Sequence, residues 1–233
     1  MDEVMGKLSG QVAIVTGASG KVGAAVAEAL AREGVAVVLA ARRKDRLLDL
    51  AARIEAAGGR ARACQTDTTS EDDVVCLFHA ANNEFARLDL VVNCVGAADA
   101  TSMDQITLAR WREIVDVTLT SAFLCAREAL RVMKLQKSGR IINVAVSTER
   151  TPAGHSLAHS SAASAVEGLT NAMAVEGRPF GIAAIFIHPG STETATEPHP
   201  ARRPAAHPCD AVEIAAAVVR RAAAPIAGIV DGE

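Results

Sequence analysis

The stretch Val12-Ala-Ile-Val-Thr-Gly-Ala-Ser-Gly-Lys-Val-Gly23 decides the fold, because a short apolar run breaks into a glycine-rich turn that opens a helix. Residues 12–15 are consecutively apolar, which is typical of a strand buried on both faces. Residues 24–33 then repeat apolar side chains at helical spacing. Glycines without Cβ atoms permit a tight turn and let a ligand approach the backbone. A phosphate would lie at the start of the helix, where unpaired N–H groups and the helix dipole favour an anion.

The next apolar strand, residues 35–40, ends at Ala41, Arg42 and Arg43. This position, about 20 residues after the turn, is where dinucleotide-binding folds contact the adenosine ribose. A carboxylate here would select NAD, but Ala41 offers none. The guanidinium groups of Arg42 and Arg43 suit a ribose 2′-phosphate. The pattern favours NADP(H) over NAD(H), although the same arginines would also fit the solvated start of a helix.

Length and charge exclude several function classes. The chain has 233 residues, with 24 basic against 27 acidic side chains and a net charge of −3, so we expect neither a nucleic-acid partner nor an anionic membrane surface. No apolar run is long enough to span a membrane, and residues 1–10 lack the apolar segment of a signal peptide. We expect one domain over residues 1–233, located in the cytoplasm. The five cysteines are odd in number and widely spaced, with no C-x-x-C pair, so no metal site is predicted.

Strands alternate with helices along the rest of the chain. The remaining strands are predicted at 61–65, 88–93, 140–145, 182–187 and 226–230, and the helices at 45–57, 70–85, 107–137, 156–176 and 210–223. Such alternation implies right-handed crossovers in an α/β fold, a doubly wound parallel sheet of about seven strands with helices on both faces. Residues 197–208 hold four prolines and are predicted to form a surface loop.

Several motifs, in this order and at this spacing, resemble the short-chain dehydrogenase/reductase family. They are Thr16-Gly-Ala-Ser-Gly-Lys-Val-Gly23, Asp67-Thr68, Val92-Asn-Cys-Val-Gly96, Gly139-Arg-Ile-Ile-Asn143, Pro189-Gly190 with Thr194, and Val230-Asp-Gly232. The resemblance covers nearly the whole chain from about Gly10. It implies a Rossmann-type sheet, NAD(P) bound across the carboxyl ends of the strands, a small-molecule substrate, and a homodimer or homotetramer through the two long helices. A hetero-oligomer through the same helices is a further alternative.

The resemblance also implies a set of cofactor-binding residues. By their positions in the motifs these are Gly17, Ser19, Gly20, Lys21, Val22, Gly23, Arg42, Arg43, Asp67, Thr68, Asn93, Gly96 and Thr194. The glycine spacing departs from the short form of the family, because Lys21 stands where the middle glycine is expected. The spacing present here instead matches extended and atypical branches, and Lys21 could itself meet a phosphate.

The residues at the family's catalytic positions differ from the family pattern more than the glycine turn does. The family reduces carbonyls with a Tyr-x-x-x-Lys pair, a serine on the fifth strand and an asparagine on the long helix, and its lysine lowers the tyrosine pKa. The matching positions here hold His159, Ala163, Val146 and Thr118, with Ser147 directly after Val146. The chain has no tyrosine and no lysine after Lys137, so it contains no Tyr-x-x-x-Lys motif. The candidate catalytic residues are therefore His159, whose imidazole titrates near physiological pH, and Ser147.

Three hypotheses follow. The first is an NADP(H)-binding protein of oxidoreductase descent that uses His159 for redox chemistry, or its cleft for a non-redox reaction. The second is a non-catalytic nucleotide-binding subunit that stabilises or regulates a partner. The third is a cofactor-free enzyme, which the glycine turn and Arg42 disfavour.

Overall fold

A computed structural model describes residues 6, 8–94, 96, 101–144, 157–187 and 210–226. Its strands are β1 (Val12–Thr16), β2 (Ala36–Ala41), β3 (Arg60–Gln65), β4 (Leu90–Asn93), β5 (Gly139–Val144) and β6 (Ile182–Ile187). Its helices are α1 (Lys21–Arg32), α2 (Lys44–Ala56), α3 (Glu71–Phe85), α4 (Leu108–Val115), α5 (Ser121–Gln136), α6 (Leu157–Gly177) and α7 (Ala211–Ala223).

All six strands pair in parallel in the order β3-β2-β1-β4-β5-β6. The predicted doubly wound α/β sheet is confirmed, and its strand order reverses between β1 and β4. Such a reversal opens a crevice beyond the carboxyl ends of the strands, where folds of this kind bind ligands. The predicted closing strand at 226–230 lies outside the described residues except for Ile226.

Helices cover both faces of the sheet, as the alternation of elements predicts. Within β1, Ala13 and Val15 pack into the core beneath α1, α2 and α7, whereas Ile14 packs into the core beneath α3, α5 and α6. Every residue of β1 is buried. A strand buried on both faces needs consecutive apolar residues, which explains why the opening run is apolar throughout. Each fully buried aliphatic side chain such as Ile14 contributes about 1.5–3 kcal/mol.

The helix predicted at 107–137 is not one regular α-helix. Five residues, Asp116–Thr120, form a π turn between α4 and α5. A π turn inserts one residue into the hydrogen-bond ladder, and such turns are frequent at functional sites. The apolar repeat of the segment does not reveal it, because a single insertion changes the spacing by only one residue. Thr118 lies at the centre of this π turn and is buried.

The first helix also begins earlier than the apolar repeat predicts. The helix α1 starts at Lys21, with Gly20 as its N-cap, so the glycine turn leads directly into helical backbone. The third helix carries a side-chain cap, because Ser70 Oγ accepts a 3.3 Å hydrogen bond from the N–H of Asp73. None of the described helices is long and apolar enough to cross a lipid bilayer.

Candidate functional site

The glycine turn after β1 needs its glycines for distinct reasons. Gly17 has a φ of +66°, in the left-handed region that favours glycine. The N–H of Gly20 donates a 2.9 Å hydrogen bond to the carbonyl of Gly17, which closes the turn. A Cβ on Gly23 would lie 2.3 Å from Gly17 O, so only glycine lets α1 pack this closely on the turn. The turn is therefore compact and sits at the start of α1.

The first turn of α1 provides backbone donors beside the glycine turn. The first N–H groups of any α-helix have no intrahelical acceptor, and here they belong to the segment that begins at Lys21. The partial positive charge of a helix N-terminus favours an anion at this point. The Lys21 side chain is exposed, whereas Val22 packs partly against the core. This arrangement can hold a phosphate through backbone groups.

Arg43 reaches the glycine turn from the end of β2. Its Nη2 donates a 2.7 Å hydrogen bond to the carbonyl oxygen of Ser19 and a 3.2 Å bond to Ser19 Oγ, and its Nε lies 3.3 Å from the same Oγ. Both Arg42 and Arg43 are exposed. The structure thus brings two of the predicted cofactor residues, 24 positions apart, to one point.

Asp67 and Thr68 follow β3 at the same edge of the sheet. Asp67 Oδ1 accepts hydrogen bonds of 3.0 Å from the N–H of Thr69 and 2.7 Å from Thr69 Oγ1. These two bonds, with a smaller contribution from the Arg42 guanidinium, lower the pKa of Asp67 from its ordinary value of 3.8. The carboxylate therefore stays ionised and shapes the turn, while Thr68 is buried beside it.

A ladder of buried polar side chains crosses the sheet where the strand order reverses. Thr16 Oγ1 donates to Asn93 Oδ1 at 3.2 Å, and Asn93 Nδ2 donates to Asn143 Oδ1 at 2.8 Å. Asn143 Nδ2 then donates to Thr170 Oγ1 at 2.8 Å, and that hydroxyl donates to the carbonyl of Val166 at 2.6 Å. This asparagine ladder, formed by Thr16, Asn93, Asn143 and Thr170, ties β1, β4 and β5 to α6.

Of the four ladder residues, only Asn93 is among the cofactor-binding residues predicted from the sequence. The available signal was a polar residue at the end of β1 and of β4, and one residue before the end of β5. Thr16 pairs with Asn93, and Asn93 with Asn143, in the parallel register. A polar side chain buried at a strand end must find a partner, and side chains in register on neighbouring strands are the nearest ones.

The residues at the family's catalytic positions lie on α6 and on the π turn. His159 is buried in the first turn of α6, and Ala163 lies one helical turn further along. Ala163 and Thr118 line one cavity of about 10 Å³, together with Asn93 and Asn143 of the ladder. The structure therefore brings two of the four replaced positions together, directly against the asparagine ladder.

Three residues named from the sequence, Val146, Ser147 and Thr194, lie outside the described part of the chain. Gly96 is described and half-buried. Cys94, which follows Asn93, is buried, and burial raises the pKa of its thiol to about 12. A thiol with that pKa is protonated at neutral pH, so Cys94 supplies no nucleophile. Among the described residues there is no group of three or more side chains that could hold a metal ion.

Comparison with known proteins agrees with this geometry. Residues 11–203 match the family model described as short chain dehydrogenase. Cis-4-hydroxycyclohexanecarboxylate dehydrogenase from Sinomonas cyclohexanicum is 36% identical over 187 residues, which cover 79% of this chain and 74% of that protein.

Solved structures give the same result. A metagenomic short-chain oxidoreductase in complex with NADP is 28% identical, with a TM-score of 0.81 over 95% of this chain and 94% of that one. An NAD⁺-bound xylitol dehydrogenase is 28% identical, with a TM-score of 0.74 over 78% of this chain and 71% of that one. The fold, the glycine turn and these matches together show that the chain belongs to the short chain dehydrogenase family.

Proposed function

We propose that this chain binds NADP(H) at the glycine turn and is an oxidoreductase by descent with an atypical active site. The observation that carries the cofactor proposal is the contact between Arg43 and Ser19. This contact holds a guanidinium against the glycine turn, beside the end of β2, where Ala41 offers no carboxylate. A guanidinium there can bind a ribose 2′-phosphate through two parallel donors.

The residues present fit such a cofactor. The backbone N–H groups at the start of α1 would hold the pyrophosphate, and Arg43 with Arg42 would hold the 2′-phosphate. When bound, the nicotinamide supplies a hydride donor or acceptor. Both cofactors occur among the structural neighbours, one in complex with NADP and one bound to NAD⁺. The preference for NADP(H) therefore rests on the residues at the end of β2.

Titration of the purified protein with NADPH and NADH tests the proposal. We expect Arg43→Ala to weaken NADPH binding by about 10- to 100-fold, because a charge-assisted hydrogen bond contributes about 1.5–3 kcal/mol, and to leave NADH binding nearly unchanged. Arg42→Ala should act in the same direction. Arg46→Ala, an exposed arginine in the first turn of α2, is the matched control and should change neither affinity. Equal losses for both nucleotides in Arg43→Ala would reject the 2′-phosphate assignment.

The proposed chemistry uses His159 as the acid or base, with Ser147 as a hydrogen-bond donor to the substrate. Without tyrosine and with Ala163 in the lysine position, the usual proton donor of the family is missing. A well-placed acid or base contributes about 10²- to 10⁴-fold in rate, so ordinary carbonyl reduction should be slow. The substrate would be a small carbonyl compound or secondary alcohol, or a small molecule that undergoes elimination, isomerisation or cyclisation.

The second candidate function is a non-catalytic nucleotide-binding subunit. The absence of any tyrosine from the chain favours it, because the family's proton donor cannot be supplied from another position. A cofactor-free enzyme is the third candidate, and the glycine turn argues against it.

An assay of NADP⁺ reduction with cyclic secondary alcohols, resembling the substrate named for the Sinomonas relative, separates the candidates. His159→Gln should abolish any turnover, whereas His79→Gln, on the exposed face of α3, should not. Tight NADPH binding with no activity dependent on His159 would favour the subunit.

We also propose that the chain is a single domain that forms a homodimer or homotetramer through its long helices. Large apolar side chains are exposed on them, with Phe123 and Leu135 of α5 at 44% and 87% and Val175 of α6 at 71%. These exposed side chains on the two helices are what supports an interface there. Light scattering of Phe123→Asp against the unmodified protein tests the assembly, and a hetero-oligomer would show as a stable monomer that associates only with its partner. Cytoplasmic location stays a prediction.

A further inference from the structure

Thr118, a residue with a buried hydroxyl, lines the small cavity between α6 and the π turn. Thr118 is only 6% exposed, and among the described residues its Oγ1 has no hydrogen-bond partner. The cavity that Thr118 lines measures about 10 Å³, and its other lining residues include Asn93, Asn143 and Ala163 beside apolar side chains such as Phe186. A hydroxyl buried without a partner costs about 1–3 kcal/mol, and native proteins rarely leave one so.

The cavity has the size and the lining of a site for one water molecule. A buried water needs a space of about 10–15 Å³ and two to four polar partners. A side-chain amide has two N–H donors and two acceptor positions. Asn93 and Asn143 each use one amide N–H within the ladder, so each has capacity for a further bond.

The mixture of donors and acceptors selects water over a small cation. An ammonium ion only donates hydrogen bonds, and it would require acceptors on every side. Here the lining offers amide N–H groups beside amide and hydroxyl oxygens. A water molecule can accept from one wall and donate to the other.

We propose that this cavity is a hydration site that binds one ordered water between Thr118 Oγ1 and the Asn93–Asn143 pair. The water would extend the asparagine ladder from the end of β1, through β4 and β5, to the π turn. It would give the buried π turn a polar anchor on the sheet, and Thr118 would be a positioning residue for it. The proposal does not depend on which nucleotide the protein binds or on whether it is an enzyme.

A crystal structure at a resolution that shows ordered waters, solved for the unmodified protein and for Thr118→Val, is the direct test. We expect a single water peak within about 2.7–3.2 Å of Thr118 Oγ1 in the unmodified protein. Thr118→Val should lose that contact. An empty cavity in the unmodified protein would overturn the proposal.

Urea unfolding of the same variants is a second test, because the change in stability has opposite signs for a hydrated and for a dry cavity. If a water is bound, Thr118→Val removes a satisfied hydrogen bond, and the folding equilibrium constant should fall by about three- to tenfold. If the cavity is dry, the substitution removes an unsatisfied hydroxyl and the protein should become more stable. Thr118→Ser keeps the hydroxyl and should retain the water peak. Thr120→Val is the matched control, because Thr120 lies in the same π turn but donates to Asp116 at the surface.

Discussion

Asn93 Nδ2 donates a 2.8 Å hydrogen bond to Asn143 Oδ1 between the carboxyl ends of β4 and β5. Both side chains are buried, at 5% and 1% exposure. Asn143 also donates to Thr170, so one amide connects the sheet to α6. The pair fixes the position of α6, which carries His159, relative to the crevice where the strand order reverses.

Asn143→Leu should therefore destabilise the protein by about 1–3 kcal/mol, because leucine has a similar shape but leaves the Asn93 amide buried without its acceptor. Urea unfolding measures the change. Asn171→Leu, at an exposed position on α6, is the control and should stay within about 0.5 kcal/mol of the unmodified protein. Equal stability of the two variants would show that the ladder contributes nothing to the fold.

A second prediction contrasts two glycines. Gly23→Ala places a methyl group 2.3 Å from Gly17 O, so the turn must open, and the protein should lose about 1–3 kcal/mol together with nucleotide affinity. Gly168 lies in α6, and beyond its own helix backbone and chain neighbours no described heavy atom lies within 4 Å of an added Cβ. Gly168→Ala should raise stability by about 0.5–1 kcal/mol, since alanine is the better helix former. Thermal unfolding and NADPH titration of both variants measure these effects. Normal NADPH binding by Gly23→Ala would contradict the prediction.

The fold was largely predictable because its signal is local. Six consecutive apolar residues predict β6 at Ile182–Ile187, where the structure has it. The polar contacts were not predictable in the same way. The bond from Asn143 to Thr170 joins residues 27 positions apart, and its existence depends on how α6 packs on β5. Side-chain composition fixes which groups need partners, but the tertiary packing fixes which partners they find.

For the candidate site, too, the sequence predicts which residues lie there but not the contacts that they make. The sequence placed Arg42 and Arg43 at the ribose end of the crevice, but it could not distinguish their roles. In the structure Arg43 donates to Ser19, whereas Arg42 acts on Asp67 through charge. The π turn at Thr118 was missed because an inserted residue in a helix leaves no composition signal. The π turn buries the Thr118 hydroxyl beside the asparagine ladder, and this burial depends on how α6 packs on the sheet.

A third prediction concerns acid stability. The pKa of Asp67 is lowered in the folded protein, first by the bonds from Thr69 and then by Arg42, relative to its ordinary value of 3.8. A lowered pKa contributes stability that is present above pH 3.8 and is lost as the pH falls through the folded value. Asp67→Asn should therefore be less stable than the unmodified protein at neutral pH, and the difference should shrink in acid. Thermal unfolding across this pH range measures it, with the exposed Asp49→Asn on α2 as control. A difference that does not change with pH would mean that the ionised form of Asp67 is not what stabilises the turn.

The last prediction uses thiol reactivity to report on the crevice. Burial raises the pKa of Cys94 to about 12, and burial with the nearby Glu128 carboxylate does the same for Cys125. Alkylation requires the thiolate and access of the reagent, so both thiols should resist iodoacetamide in the native protein. Among the cysteines that the structure describes, Cys76 is the exposed one and should react first, a reaction that Cys76→Ser removes. Mass spectrometry of peptides, with and without urea, follows each site. Cys94 directly follows Asn93 at the end of β4. If Cys94 in the native protein were alkylated as fast as Cys76, the end of β4 would have to open readily. The asparagine ladder could not then be the rigid support of α6 that the geometry indicates.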